Sequence, residues 1–248
     1  PTAPPAAEDT VRRVRTTVRE RFGHDALLPG QAEATAALLE GHDVLLVAPT
    51  GAGKSLVYQA AGLLTDGCTL VVSPLLALQQ DQIEGLTEAL GDAGRQVPAA
   101  RISSAETEAE RRDALDRAGA GELEFLFLSP EQLAVEEVRA TIAGIAPSLV
   151  AVDEAHCVSA WGHDFRPDYF RLGDLLAELG HPRVVAMTAT AAPPVRHDIA
   201  QRLALHDPVT VVTGFARPNL ALAVDPVASP EDQRRRVLEL ADPAEGAG

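Results

Sequence analysis

Six short runs of apolar, largely β-branched residues set the terms on which this chain can fold: Val44–Ala48, Leu70–Ser73, Phe125–Leu128, Leu149–Asp153, Val184–Thr188 and Val209–Val212. They are apolar throughout, where a strand with one wet face would alternate, so they read as strands buried on both faces of a parallel sheet. Helix-length segments lie between them, and a parallel neighbour requires such a crossover. The expectation is a three-layer α/β sandwich with a mainly parallel central sheet. At 248 residues and 46% hydrophobic, the chain can bury one large core or two small ones.

No apolar run approaches the roughly 18 residues of a membrane span, and the N-terminus lacks the basic and apolar regions of a signal peptide. The chain therefore reads as soluble and cytoplasmic. Cys68 and Cys157 are too few and too unpatterned for a disulfide scaffold or a zinc site, and read as reduced thiols. Residues 1–7 form a Pro- and Ala-rich leader. Glu8 to Phe22 carries Val11, Val14, Val18 and Phe22 at helical spacing with five arginines between them, either a solvated face or a DNA contact. The α/β pattern then fills the rest of residues 8–213. Residues 214–248 read as a linker and one more helix, capped by Ser229 with Pro230 at its first position. That helix is followed by no further strand, and the only methionine is Met187. The expectation is a chain processed or cut from something longer.

The first apolar run leads into Ala48-Pro-Thr-Gly-Ala-Gly-Lys-Ser55, which opens a helix. Strand, glycine turn and helix N-terminus are the context of a phosphate-binding loop: glycines let backbone amides face phosphate, and the helix dipole adds positive potential. The pattern departs from the strict one only in Ala48, where glycine is usual. Of 21 basic residues, 20 are arginine, and the single lysine is Lys54. A compact ammonium fits such a nest and a planar guanidinium does not, which accounts for lysine here. Thr50, Gly51, Ala52 and Gly53 would line the phosphates with Lys54, and Ser55 would hold Mg²⁺.

Asp153-Glu-Ala-His156 closes the run Leu149–Val152, and a carboxylate at a strand's C-terminal end stands on the ligand-binding edge of such a sheet. Asp153 would contact Mg²⁺ through water and Glu154 would orient and deprotonate an attacking water; a helix cap is the plainer alternative. His156 is either a structural hydrogen-bonder or a relay. Met187-Thr-Ala-Thr-Ala191 ends another buried run, where Thr188 and Thr190 would bond the acidic strand end. Four of the nine aromatics, Trp161, Phe165, Tyr169 and Phe170, fall within ten residues shortly after Asp153-Glu-Ala-His156, beside His163 and Arg166. Aromatic faces with a guanidinium suit stacking on unpaired bases; Tyr169 and Phe170 read better as packing on their own domain. Ser73-Pro-Leu-Leu-Ala-Leu-Gln-Gln-Asp81 and Ser129-Pro-Glu-Gln132 offer hydroxyls and amides to a phosphate backbone, or simply cap helices.

Together these segments resemble the RecQ family of superfamily 2 DNA helicases, in the family's order, from about Phe22 to Leu220. The specific part is His156-Cys-Val-Ser-Ala-Trp-Gly-His-Asp-Phe-Arg-Pro-Asp-Tyr169, similar to the family's aromatic-rich loop, and Phe215-Ala-Arg-Pro-Asn-Leu220 resembles its entry into a second motor domain. Phe22, Gly23, Pro29, Gly30 and Gln31 match its adenine-recognition segment, while Leu27 and Leu28 replace an aromatic residue and an arginine. The resemblance implies a RecA-like P-loop fold, ATP as cofactor with Phe22 and Gln31 at the base, and ATP-driven 3′-to-5′ unwinding of DNA in recombination and repair. It implies DNA, single-stranded and partly duplex, as partner, and a second RecA-like domain with accessory domains in the full-length protein. The net charge of −15 confines DNA contact to a local groove. Two other readings remain at this point: a nucleotide-responsive binding module without motor activity, and an RNA helicase of the Asp-Glu-Ala-His type.

Overall fold

The computed structural model describes residues 7–90, 99–159, 166–214 and 223–241. In chain order its strands are β1 (Val44–Val47), β2 (Thr69–Val72), β3 (Ala99–Ile102), β4 (Phe125–Leu128), β5 (Leu149–Val152), β6 (Arg183–Thr188) and β7 (Val209–Val212). They form one sheet, β3-β4-β2-β5-β6-β1-β7, in which every neighbouring pair is parallel. The helices are α1 (Glu8–Phe22), α2 (Gln31–Leu39), α3 (Ser55–Leu63), α4 (Leu76–Leu90), α5 (Glu108–Gly119), α6 (Glu136–Ile145), α7 (Arg171–Glu178), α8 (Pro193–Arg202) and α9 (Pro230–Leu240).

Successive strand residues point to opposite faces, and both faces are dry. Val44 and Leu46 pack with Ala34, Val57, Tyr58 and Leu86 of α2, α3 and α4. Leu45 and Val47 pack with Leu115, Ile142, Leu175 and Ile199 of α5, α6, α7 and α8. Val14 and Val18 of α1 lie against Leu56 and Ala60 of α3. The expected three-layer sandwich is the observed one. The six expected strands are present, and β3 is the addition. Among the described residues it sits at the sheet edge and pairs only with β4, and it reads Ala-Ala-Arg-Ile, so it needs little apolar surface and leaves little trace in the sequence. At the other edge, β7 alternates: Val209 and Val211 are buried, Thr210 and Val212 exposed.

The chain divides into two compact units, Pro1–Gly214 and Phe215–Gly248. In the second, the Ser229 hydroxyl accepts from the Asp232 amide at 3.1 Å, capping α9 as expected, and Val237, Leu238 and Leu240 are exposed. Among the described residues no helix is long and apolar enough to cross a membrane. Both cysteines are buried and unpaired.

Candidate active site

Three adjacent strands, β5, β6 and β1, carry the site on their C-terminal ends. The Ala48 amide donates to the Thr188 carbonyl at 3.1 Å, extending the ladder one residue beyond β1. The chain then turns through Gly51 (φ 82°) and Gly53 (φ 62°), both left-handed, and enters α3 at Ser55. The Lys54 ammonium bridges the loop from inside, 3.1 Å from the Ala48 carbonyl and 3.3 Å from that of Pro49. Gln31, the first residue of α2 and only 4% exposed, braces the same loop from outside. Its Nε2 donates to the carbonyls of Ala52 (3.2 Å) and Gly53 (2.9 Å), and its Oε1 accepts from the Leu28 amide (2.8 Å). A donor shared by two carbonyls and an acceptor facing an amide leave one consistent orientation for this side chain. Phe22, half-buried, lines a cavity of about 590 Å³ together with Gly53, Ser55 and Gln82.

Asp153 continues β5: its amide donates to the Val72 carbonyl at 2.8 Å, and the residue is 6% exposed. Its carboxylate accepts from the Glu154 amide (2.9 Å) and the Ser73 hydroxyl (3.4 Å). Burial, and then the Glu154 charge, push its pKa up, against the amide bond, Lys54 and Ser73. Glu154 has left-handed backbone angles, φ 47° and ψ 44°, a conformation that costs a non-glycine residue about 1–2 kcal/mol. It turns the chain sharply, so that Asp153 and Glu154 serve the same edge. His156 holds Glu154 from the other side: its Nδ1 lies 3.2 Å from Glu154 Oε2 and 3.0 Å from the Thr188 hydroxyl. That contact holds the Glu154 carboxyl below its usual range. The Cys157 sulfur, 3.8 Å from Nε2, and Glu154 push the His156 imidazole up to about 10. Thr188, fully buried, donates to the Thr190 carbonyl (3.1 Å) and accepts from the Thr190 amide (3.3 Å).

Ser55 and Asp153 offer hard oxygen donors, and burial, then the Glu154 charge, disfavour the charged form of Asp153, a cost that a neighbouring cation would offset. A magnesium ion fits that donor set, since Mg²⁺ is typically held by one or two protein oxygens with water and substrate phosphates completing its shell.

A model of the DEAD/DEAH box helicase family matches residues 28–198, which span Gln31, the Lys54 loop, Asp153-Glu-Ala-His156 and Thr188–Thr190. The chain belongs to the DEAD/DEAH box helicase family. Among curated proteins, this helicase chain is 39% identical over 95% of its length to a probable ATP-dependent DNA helicase RecS of Bacillus subtilis, and covers 46% of it. It is 38% identical to the ATP-dependent DNA helicase RecQ of the same organism (86% of this chain, 36% of the relative) and 43% identical to the mouse ATP-dependent DNA helicase Q5 (81% and 21%). It thus spans less than half the length of each. Among solved structures, the helicase Lhr of Mycobacterium smegmatis bound to single-stranded DNA and AMP-PNP aligns with a TM-score of 0.62 at 25% identity, over 96% of this chain and 33% of that one. The DUF1998 helicase MrfA bound to DNA shares the fold at a TM-score of 0.66 and 21% identity (86% and 31%).

In this helicase domain the local expectations meet at one edge. Lys54, Asp153, Glu154, His156 and Thr188 converge there, and Thr190 joins through Thr188. Trp161, His163 and Phe165 lie outside the described residues. Arg166 is exposed, and its amide donates to the Cys157 carbonyl at 3.1 Å. Tyr169 packs on its own domain as expected, fully buried with its hydroxyl on the Asp153 carbonyl at 3.1 Å. Phe170 is 43% exposed, with the Arg202 guanidinium 4.6 Å above its ring. Ser73, read in the sequence as a phosphate-backbone contact or a cap, turns its hydroxyl to Asp153. Gln79, from the same segment, donates to the Ser73 carbonyl at 2.7 Å. No sequence signal marks the Ser73–Asp153 bond, because it depends on β2 lying beside β5.

Proposed function

We propose that this chain is the first motor domain of an ATP-dependent 3′-to-5′ DNA helicase of the RecQ type, acting in recombination and repair. The observation that carries the proposal is the meeting of the Lys54 loop, Asp153-Glu154 and the His156–Thr188 pair on three neighbouring strand ends. The identity to RecS, RecQ and Q5 supports the DNA substrate. Residues 8–213 form the nucleotide-binding domain, and 214–248 begin the second RecA-like domain.

In this proposal the amides of Thr50–Gly53 and the Lys54 ammonium bind the β and γ phosphates, and Phe22 and Gln31 stand at the adenine. Ser55, and Asp153 through water, would hold Mg²⁺, whose charge would offset that of the phosphates. Glu154 accepts the proton of the attacking water, and its low pKa keeps it ionised for that role. His156 fixes Glu154 and links it to Thr188 and Thr190. Trp161, His163, Phe165 and Arg166 take single-stranded DNA. The second RecA-like domain supplies an arginine to the γ-phosphate, a contribution worth about 10³–10⁵ in rate. The protein acts in the cytoplasm, at the chromosome.

ATP hydrolysis by the intact protein, measured with and without single-stranded DNA, tests the proposal. DNA should stimulate turnover; Lys54→Ala should abolish it, and Trp161→Ala should remove the stimulation. Absence of stimulation by any DNA would refute the motor assignment, and stronger stimulation by RNA would refute the substrate.

A further inference from the structure

The base end of the nucleotide site is built differently from its phosphate end. The Lys54 ammonium and the turn through Gly51 and Gly53 address phosphates, which every nucleoside triphosphate carries alike. Discrimination among bases falls to Gln31, to Leu28 and to the cavity of about 590 Å³ that Phe22 lines.

A glutamine amide has two N–H donors and one carbonyl acceptor. Gln31 spends both donors on the loop, at 3.2 Å to the Ala52 carbonyl and 2.9 Å to that of Gly53, and its Oε1 already accepts from the Leu28 amide at 2.8 Å. The residue is 4% exposed. Rejection of a wrong substrate by about 10⁴–10⁵ arises where the mismatch leaves a buried polar group unpaired. Gln31 is the buried group that could impose such a cost, and the loop keeps it paired whichever base is present. A base without the matching edge therefore leaves Gln31 as well satisfied as one that has it.

Leu28 stands where the resemblance puts an arginine, 48% exposed and beside the loop, with its Cδ1 3.8 Å from the place of a Cβ added to Gly53. A leucine offers dispersion contact to any base face and has no donor with which to choose an edge. The remaining polar groups of the cavity choose weakly. His24, Asp81 and Glu88 are exposed, so water replaces a bond that a base fails to make. Half-buried Gln59 carries both donor and acceptor, and Gln82, whose Oε1 accepts from the Tyr58 hydroxyl, keeps donors that an acceptor on any base can meet.

We infer that the site takes and hydrolyses nucleoside triphosphates with little regard to the base, so that GTP, CTP and UTP are substrates beside ATP. The inference rests on the proposed assignment of this edge to a nucleotide. Recognition lies in the phosphates, and the base contributes a contact without an address.

The test is displacement of a fluorescently tagged ADP from the intact protein, in Mg²⁺, by ADP, GDP, CDP and UDP. The four should compete with dissociation constants within about tenfold of one another, far inside the range that an unpaired buried group produces. DNA-stimulated hydrolysis of ATP, GTP, CTP and UTP should show kcat/KM values within the same range. Gln31→Ala should weaken all four diphosphates together, by about tenfold, because it loosens the loop that holds the phosphates. If that variant loses its melting transition, Leu28→Ala, at an exposed position, takes its place and should weaken all four by about twofold. A preference for ADP above tenfold over any of the other three would overturn the inference, as would a loss confined to ADP in either variant. A tagged ADP that fails to bind, or that none of the four displaces, would overturn the nucleotide assignment itself; tight binding restricted to ADP would overturn only the indifference to the base.

Discussion

Gly53→Ala is the substitution whose cost the structure specifies most closely. Two separate penalties apply at this position. Gly53 has φ 62°, and a left-handed conformation costs an L-residue about 1–2 kcal/mol. In addition, an added Cβ would lie 2.6 Å from Gln31 Nε2, the atom that bonds Ala52 and Gly53. Gln31 must then move, and it is 4% exposed with three hydrogen bonds to the loop and Leu28. Losing two of them at about 0.5–1.5 kcal/mol each adds about 1–3 kcal/mol, for a total of about 2–5 kcal/mol. Gly51→Ala is the internal control: φ is 82°, but an added Cβ meets nothing within 4 Å, so only the conformational penalty of about 1–2 kcal/mol remains. Equilibrium urea unfolding of both variants measures the difference, and Tm should fall by about 2–4 °C per kcal/mol lost. The double variant Gln31→Ala with Gly53→Ala should cost less than the sum of the singles, because the clash disappears with the glutamine. Equal costs at Gly51 and Gly53, or additivity in the double variant, would refute the brace formed by Gln31.

Lys54→Arg should leave the fold intact and reduce DNA-stimulated turnover by about 10²-fold or more, because a planar fork does not fit between the Ala48 and Pro49 carbonyls; steady-state hydrolysis beside a melting curve checks both halves. Tyr169→Phe leaves the buried Asp153 carbonyl without the phenol donor and should cost about 1–2 kcal/mol in urea unfolding. His156 has a folded pKa of about 10 against an ordinary value of 6.5, so its charged form is favoured by folding. The stability it contributes is fully present below pH 6.5 and is lost as pH rises through about 10. The gap in unfolding free energy between wild type and His156→Gln should therefore be widest near pH 6 and narrow steadily towards pH 10; a gap that widens with pH would refute the contact with Glu154 and Cys157.

Much of the site is a matter of adjacent residues, and adjacent residues are legible. The turn from Ala48 to Ser55 needs left-handed glycines, a small cation and a helix start within eight positions, and the chain writes all of them consecutively. The Asp153-Glu-Ala-His156 turn is local in the same way, as is the crowding of aromatics after it. Harder to read were the partners that close the site. Ser73 meets Asp153 across 80 positions, Gln31 meets Gly53 across 22, and Ser159 meets Asp198 across 39. These are common polar residues in unremarkable sequence, and only neighbouring strands and packed helices make them pairs. Gln31 illustrates the difference: the resemblance puts it at the adenine, and only the fold adds that its amide also braces the loop.

The sequence by itself determined that the sheet is parallel and covered on both sides, because a strand's own side chains must match the faces it will bury. It also determined the phosphate loop, the acidic strand end and the aromatic-rich segment, each encoded within a dozen residues. Only the tertiary structure decided that β1, β5 and β6 lie side by side, that the edge strand β3 exists, and that Ser159 meets Asp198 of α8. Such facts depend on strand order and helix placement, which arise from the packing of the whole core and from no short stretch within it.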